Sequence, residues 1–170
     1  MKSLFNKSAG IIASLKGKRP ASTVKRKNPG VRIGHIVAEL PNGEKVHRIV
    51  AGEQVPFMPA ENKHMAEGGI GGSHGTLEFK IMGQSGNAVG HVYFEVPESS
   101  RRQGIGTNLL LEAEAVASKL NVNYLEVNTF NQRAVRACEN AGWKIIEKRR
   151  IKKGLVFVVA RKQIARSETQ

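Results

Sequence analysis

Two arginines and two glycines lie close together in the segment Arg101-Arg102-Gln103-Gly104-Ile105-Gly106. The segment follows an apolar run typical of a strand and precedes a run with helical periodicity, so it predicts a turn that ends at a helix N-terminus. The first amides of a helix have no internal partner and, together with the helix dipole, form a seat for an anion. Glycine allows close approach of the backbone, the arginines add charge, and Thr107 offers a hydroxyl. The pattern favours binding of a pyrophosphate.

A Gly-x-Gly at a helix start has other interpretations. The glycines of a tight turn can serve packing alone. The segment is not a Walker loop, because it lacks that spacing and the Gly-Lys-Ser/Thr ending. A dinucleotide fingerprint would need a third glycine and a downstream acidic residue for the ribose. Residues further along the chain are therefore needed to decide between a packed turn and a phosphate site.

The elements that must position this segment follow from the hydrophobic pattern. Pro41-Asn42-Gly43-Glu44 predicts a hairpin turn between two β-branched runs. Residues 52–74 lose all periodicity and predict a long, mobile loop, which in a compact domain is often functional. The order of elements predicts an α/β fold with a partly parallel sheet. Strands are expected at 31–40, 45–51, 76–82, 88–96, 123–129, 143–150 and 154–161, and helices at 105–120 and 132–141.

The residues after the first helix complete a longer pattern. Val127 and Asn131 read V-x-x-x-N, Asn131 and Ala134 read N-x-x-A, and Gly142-Trp143 lies eleven residues past Asn131. With the Arg-x-x-Gly-x-Gly segment, this order and spacing over residues 76–161 resembles the GNAT N-acetyltransferase family. The resemblance implies a GNAT-like mixed, partly splayed β-sheet with two helices in the C-terminal half, and acetyl-CoA as cosubstrate.

The resemblance also implies a cofactor site. Strand 88–96 would splay from its neighbour, and its amides near Phe94 and Val96 would pair with the pantetheine arm. Backbone amides would hold the pyrophosphate, with the two arginines at its rim. Asn131 would meet the lower part of CoA while also serving as a helix N-cap. The full set of implied cofactor residues is Phe94, Val96, Arg101, Arg102, Gln103, Gly104, Ile105, Gly106, Thr107 and Asn131.

The candidates for proton transfer depart from the family. Many members place a tyrosine, the acid for the CoA thiolate, four residues before the Gly-aromatic pair, where this chain has Cys138. A thiol can donate a proton, but Ala134, Cys138 and Ala141 also form a stripe typical of a small core face. Glu95, at the end of the splayed strand, is by analogy the candidate base that takes a proton from the attacking amine.

Other titratable residues have ordinary interpretations. Glu78 and Glu126 are further candidates for the base, although exposed sheet carboxylates are the simpler interpretation for them and for Glu95. His64 and His74 lie in the loop, ten residues apart and without a third ligand, so we predict solvated histidines and no metal site.

The acceptor side differs from the family as well. Members usually insert two helices between the first two strands, and these helices wall the acceptor site. Here a four-residue turn leaves no room for them. The loop 52–74 would substitute as a lid, or the groove would be open, and an open groove suits an amine on a protein better than a small molecule.

The charge of the chain is concentrated at its start. Nine of the 27 Lys and Arg residues lie within residues 1–38, which contain no acid, and the net charge is +13. We expect a basic N-terminal arm at 1–30, a domain at 31–162 and a tail at 163–170. The arm could be a solvated, disordered segment, bind nucleic acid or a macromolecular assembly, lie on a membrane, or be a transit peptide.

Composition limits the remaining classes. No apolar run approaches the ~20 residues of a transmembrane helix, and the single cysteine excludes an intramolecular disulfide. A reducing compartment is therefore expected, the cytoplasm first, with a virus particle or an organelle as alternatives. The leading hypothesis is an N-acetyltransferase that acts on a primary amine, expected on a protein. The rival is a catalytically degenerate GNAT-fold component of a nucleoprotein assembly, anchored by its basic arm.

Overall fold

The computed structural model describes residues 30–40, 42–84 and 87–165. Within these residues a seven-stranded sheet, a two-stranded sheet and two α-helices form one α/β unit. A short 3-10 turn at Glu98–Ser100 precedes the first helix. The elements are β1 (Ile33–Glu39), β2 (Lys45–Ala51), β3 (Gln54–Pro56), β4 (Ile70–Gly72), β5 (Gly75–Met82), β6 (Val89–Glu95), α1 (Ile105–Lys119), β7 (Tyr124–Thr129), α2 (Gln132–Asn140), β8 (Lys144–Lys152) and β9 (Leu155–Gln163).

The large sheet has the order β1-β2-β5-β6-β7-β9-β8. All neighbouring strands run antiparallel except β6 and β7, which are parallel. Parallel neighbours need a crossover, and α1 supplies it by leading the chain from the end of β6 back to the start of β7. This arrangement confirms the predicted mixed sheet with two helices in the C-terminal half.

The single parallel pair is short. β6 and β7 pair only at Val89 with Tyr124, Gly90 with Leu125 and His91 with Glu126. Both strands continue beyond this point, to Glu95 and Thr129, without pairing to each other. The two halves of the sheet therefore diverge from His91 onward, which confirms the predicted splay.

Helix α1 packs on the sheet through one apolar face. Its buried residues recur at the spacing of a helical stripe: Ile105, Asn108, Leu109, Leu110, Ala113, Val116 and Ala117. Its apolar members form a common core with Leu77, Phe79 and Val92 of the sheet. The indole of Trp143 donates a 2.7 Å hydrogen bond to Glu114 of α1, which joins the end of α2 to this helix. None of the helices in the described part of the chain is long and apolar enough to cross a membrane.

The segment between β2 and β5 is more ordered than its sequence predicts. It contains the two-stranded sheet of β3 and β4, whose Pro56 and Gly71 conceal the strand pattern. Arg48 of β2 and Glu78 of β5 are fully buried beneath it and form an ion pair at 3.0 Å. Arg48 also donates to the carbonyls of Ala66 and Gly68, each at 2.6 Å. A buried charged pair thus anchors residues 66–68 to the sheet.

Candidate functional site

A large cleft opens where β6 and β7 separate. It encloses about 1710 Å³ and is lined by the diverging ends of both strands, the start of α1, the first turns of α2 and residues 61–64. Pockets for small molecules usually have ~300–1,000 Å³. The cleft therefore has room for a long ligand that passes between the two halves of the sheet.

The start of α1 forms one wall of this cleft. Gly104 occupies the N-cap position with a left-handed φ of 78°, and no side chain caps the helix. The first helical hydrogen bond runs from Asn108 N to Gly104 O, so the amides of Ile105, Gly106 and Thr107 precede it. These amides and the positive end of the helix dipole meet the cleft, which is the arrangement that binds a phosphate group.

The glycines of this segment have separate structural tasks. Gly104 adopts a conformation that other residues rarely take. A Cβ on Gly106 would lie 3.3 Å from the Phe94 ring and 3.4 Å from the Ala137 Cβ. Gly106 therefore allows α1 to approach β6 and α2 closely, so packing explains this residue while the amides around it remain available.

The two arginines before the helix differ in their surroundings. Arg101 donates to Glu61 at 2.6 Å and to the carbonyl of Val96 at 3.1 Å, so its guanidinium ties the loop before β4 to the end of β6. Arg102 is exposed on the cleft wall. Arg133 and Arg136 of α2, which the sequence pattern did not single out, line the same cleft and are exposed. The cleft therefore carries several exposed positive charges near the uncapped helix start.

Asn131 caps helix α2. Its side-chain oxygen accepts a 2.9 Å hydrogen bond from Arg133 N, which is the ordinary task of an N-cap residue. The residue also lines the cleft, as do Phe94 of β6 and Val96, which follows that strand. The structure thus brings the predicted cofactor residues of β6, α1 and α2 to one opening, and their contact with a cofactor stays a prediction.

Aromatic side chains line the cleft on the sheet face opposite the helices. Tyr93 alternates with the core residues Val92 and Phe94, and the ring of His64 stacks on it with 5.5 Å between centroids. On the other side of the opening, the rings of Phe130 and Phe157 pack together with 5.3 Å between their centroids. Strand alternation alone could have identified Tyr93, but a loop histidine gives no such signal.

A family model of the GNAT acetyltransferase domain matches residues 80–164, which are half of the chain and include all of the cleft lining except residues 61–64. The chain belongs to the GNAT acetyltransferase family. In sequence, no curated protein matches it.

Solved GNAT structures share the fold at low identity. A GNAT-family acetyltransferase from Streptococcus pneumoniae is 19% identical, with a TM-score of 0.50, over 71% of this chain and 67% of its own. YncA of Salmonella typhimurium, solved with acetyl-CoA, is 12% identical with a TM-score of 0.50, over 73% and 68% of the two chains. The ribosomal-protein-S5-alanine acetyltransferase of Vibrio fischeri is 12% identical with a TM-score of 0.51, over 70% and 62%. At such low identities, these TM-scores show a common fold alone.

Cys138 of this GNAT domain lies away from the cleft. Its side chain is fully buried in the core cluster and is not among the residues that line the opening. Burial, with a smaller contribution from Glu139, raises the pKa of the Cys138 thiol to about 12. The structure therefore gives this cysteine the surroundings of a packed core residue, and the predicted role in proton transfer receives no geometric support.

Glu95 lines the cleft, but its carboxylate is occupied. It accepts hydrogen bonds of 2.9–3.0 Å from the amides of Ala60, Glu61 and Asn62. Burial acts to raise the pKa of Glu95, yet these three donors and nearby Arg101 outweigh it, and the pKa lies below its ordinary value of 4.5. A carboxylate stabilised in this way is a weak base, and the geometry makes it an anchor for residues 60–62.

The lowered pKa of Glu95 predicts an acid transition in this loop. The ionised Glu95 contributes to the stability of the folded state. This contribution is fully present above the ordinary pKa of 4.5 and is lost as the pH falls through the lower pKa of the folded state. We expect the amide proton resonances of Ala60, Glu61 and Asn62 to shift together in this pH range, and an NMR titration measures these shifts. Glu95→Gln, which cannot titrate, should remove the transition; an unchanged transition in that variant would contradict the assignment.

The other predicted titratable residues have structural partners. Glu78 pairs with Arg48 in the core, and Glu126 accepts two hydrogen bonds from Arg161 at 2.6 and 2.9 Å. His74 contacts the hydroxyl of Ser73 at 2.9 Å and lies outside the cleft lining. Within the described ranges, no group of three or more His, Cys or acidic side chains could hold a metal ion.

Proposed function

We propose that this GNAT domain transfers an acetyl group from acetyl-CoA to a primary amine on a protein. The observation that carries the proposal is the cleft between β6 and β7, which joins an uncapped helix start at one end to an aromatic face at the other. A ligand with a phosphate head and a long arm fits such an opening. Solved GNAT structures of the same fold, including YncA with acetyl-CoA, support it.

The residues of the cleft suit the parts of acetyl-CoA. The amides from Gln103 to Thr107 would bind the pyrophosphate, with Arg102, Arg133 and Arg136 supplying charge around it. The unpaired edge of β6, near Phe94 and Val96, would bind the pantetheine arm as an added strand does. Asn131 would contact its lower part. The bound thioester supplies an activated acetyl group.

Catalysis in this proposal depends mainly on orientation. The cleft would hold an amine next to the thioester, which converts a bimolecular reaction into one between prearranged groups. A strand amide of β6 at the divergence would polarise the carbonyl. Because Cys138 is buried, proton transfer falls to groups on the acceptor face, and Tyr93 and His64 are among the cleft residues there that can donate or accept a proton.

Tyr93→Phe is expected to lower kcat by about ten- to 100-fold, because the variant keeps the ring and loses the hydroxyl that protonates the leaving thiolate. The Kd for acetyl-CoA should stay unchanged. Tyr124→Phe is a matched control, since Tyr124 is the first residue of the neighbouring strand β7 and does not line the cleft. Steady-state release of free CoA thiol measures the rates, and equal kcat values for both variants would remove Tyr93 from the mechanism.

The acceptor side supports a protein amine. The turn at Leu40–Glu44, closed by the hydrogen bond from Leu40 N to Glu44 O at 2.8 Å, connects β1 directly to β2, where many members of the family insert the two helices that wall the acceptor site. Residues 61–64 line one side of the cleft, and Phe157 of the β8–β9 hairpin lines the other. The groove between them is open, so an amine at the end of a large partner can enter it.

The rival hypothesis, a GNAT-fold component of a nucleoprotein assembly, is favoured by one observation: the buried Cys138 leaves no donor where many members have a tyrosine. The basic arm that would anchor such a component lies outside the described residues, apart from Gly30. Lys/Arg→Ala changes within residues 1–30 should abolish polyanion binding under this hypothesis, whereas Gly104→Glu should leave it intact. The opposite pattern would exclude it.

Titration calorimetry with acetyl-CoA, followed by an acetyl-transfer assay on lysine and N-terminal peptides, tests the proposed function. We expect one acetyl-CoA per chain and release of CoA thiol that depends on the peptide. If the protein binds acetyl-CoA but transfers acetyl to no amine, the cofactor site is supported and the proposed enzymatic activity is excluded. An absence of binding would overturn both.

A further inference from the structure

The end of β8 and the turn that follows it carry a dense group of positive charges. We call it the basic hairpin and define it as Lys148, Arg149, Arg150, Lys152 and Lys153. All five residues are exposed, and no acid lies between Lys148 and Lys153. The only other residue of this stretch, Ile151, is 50% exposed. The surface is therefore strongly basic with an apolar side chain at its centre.

The basic hairpin lies at the mouth of the cleft. The pairing of β7 with β9 ends at Thr129 and Val158, so Phe157 and the tip of the hairpin project beyond β7. Phe157 lines the cleft and pairs in register with Arg149, whose guanidinium lies 5.6 Å from the ring centroid. Phe130, 50% exposed, completes this lip. Arg149 thus borders the opening on its aromatic, acceptor side, and the other bases of the hairpin lie next to it along β8 and the turn.

Few of these charges are neutralised. Other bases of the sheet have close carboxylates: Arg161 with Glu126 at 2.6 Å and Lys162 with Glu114 at 3.4 Å. In the described part of the chain, Arg149 is the only member of the basic hairpin with an ion pair. Its partner Glu147 lies 3.8 Å away in an exposed position, where such pairs contribute little. The hairpin therefore presents a net positive field to the cleft mouth.

The need to prevent strand addition at a sheet edge explains only part of the positive charge of the basic hairpin. Lysines on edge strands prevent strand addition, and β8 is an edge strand. The opposite edge, β1, is also paired on one side only and contains no Lys or Arg. In β8, irregular register between Ile145 and Glu147 and between Arg150 and Lys152 already disturbs the edge. The concentration of bases at the cleft mouth remains to be explained.

We propose that the acceptor amine is carried by an acidic protein segment that binds along the basic hairpin. The inference rests on the proposed acetyl transfer and narrows its substrate. Six extended residues span about 20 Å, so Lys148–Lys153 can contact a peptide segment of similar length. Complementary charge speeds encounter and selects among partners. A protein is favoured over a nucleic acid because the exposed Phe130 and Ile151 suit apolar side chains and because nucleic acids lack aliphatic primary amines.

Two peptides that differ only in charge test the substrate. Each contains one lysine and a blocked N-terminus, flanked by four glutamates in one peptide and by four glutamines in the other. For the full chain at low salt, kcat/KM is expected to be at least about tenfold higher for the acidic peptide. This ratio should fall as the ionic strength rises, since salt screens exposed charges.

Charge reversal tests the surface. In the variant Arg150→Glu/Lys152→Glu/Lys153→Glu, which retains Arg149 and its ring contact, the preference for the acidic peptide should disappear or invert. The variant Lys45→Glu/Lys119→Glu/Lys144→Glu has the same change in charge at exposed residues outside the cleft lining. It should keep the preference. The Kd for acetyl-CoA, measured by calorimetry, should be the same in all three proteins.

Each outcome has one meaning. Acetyl-CoA binding with equal kcat/KM for both peptides overturns the inference and leaves the proposed function, whereas failure of the wild type to bind acetyl-CoA overturns the proposed function itself. Equal effects of the two triple variants would show that total charge, and not the hairpin, sets the preference. Equal use of both peptides, with binding of a single-stranded RNA that only the hairpin variant loses, would replace the protein partner by a nucleic acid.

Discussion

Gly104→Glu is expected to weaken acetyl-CoA binding about 100-fold, equivalent to about 2.8 kcal/mol. Gly104 is the N-cap of α1 and lies on the cleft wall next to the first helical amides. A carboxylate there would accept hydrogen bonds from those amides and repel the pyrophosphate. Hydrogen bonds to a charged group contribute about 1.5–3 kcal/mol each, so loss of one or two accounts for this magnitude.

The control for Gly104→Glu must carry the same conformational cost. Gly43, in the turn between β1 and β2, has a φ of 79°, nearly equal to the 78° of Gly104, and a Cβ there would meet no atom within 4 Å. Gly43→Glu therefore introduces the same charge and a similar backbone strain away from the cleft. Calorimetry should give an unchanged Kd for this variant. Equal weakening in both variants would show that charge or stability, and not the helix start, governs binding.

Arg48→Met is expected to lower the melting temperature by about 10 °C. It leaves Glu78 fully buried without its partner, and breaking a buried ion pair costs about 3–5 kcal/mol. In a domain of this size, each kcal/mol shifts the melting temperature by about 2–4 °C. The same change frees the carbonyls of Ala66 and Gly68. Thermal unfolding followed by circular dichroism measures the effect.

A double variant separates the ion pair from the anchoring of the loop. Arg48→Met/Glu78→Leu removes both charges and leaves no unpaired ion in the core, so it should recover part of the lost stability. Recovery should be incomplete, because residues 66–68 still lose their hydrogen bonds to the guanidinium. A melting temperature of Arg48→Met within about 2 °C of the wild type would contradict the anchoring role of this pair.

The fold was largely predictable because its signals are local. Asn42-Gly43 between two β-branched runs marks the first hairpin, and the helical stripe of α1 and the N-cap Asn131 mark the two helices. The splay between β6 and β7 was expected from the resemblance to the GNAT family alone, because no local pattern distinguishes paired from unpaired strand ends. The strands β3 and β4 were missed, because glycine and proline lower the strand propensity of that segment.

The parts of the site that were not predictable depend on distant contacts. Arg48 and Glu78 are thirty residues apart, and their burial as a pair is not visible in either strand alone. Glu95 was a reasonable candidate base from its place at the end of β6. The three amides that lower its pKa belong to residues 60–62, where the sequence shows no periodicity. Likewise, the position of the basic hairpin beside the cleft depends on the register of β7 with β9.

A crystal structure of the protein with acetyl-CoA tests whether the cleft between β6 and β7 is the cofactor site. For a cofactor bound in this cleft, we expect pyrophosphate oxygens about 3 Å from the amides of Ile105 and Gly106, within hydrogen-bond distance. We also expect the pantetheine arm between residues 92–96, at the end of β6, and residues 127–131, with the acetyl group directed towards Tyr93. Acetyl-CoA bound elsewhere, or a cleft closed by pairing of β6 with β7 beyond His91, would contradict this cofactor site.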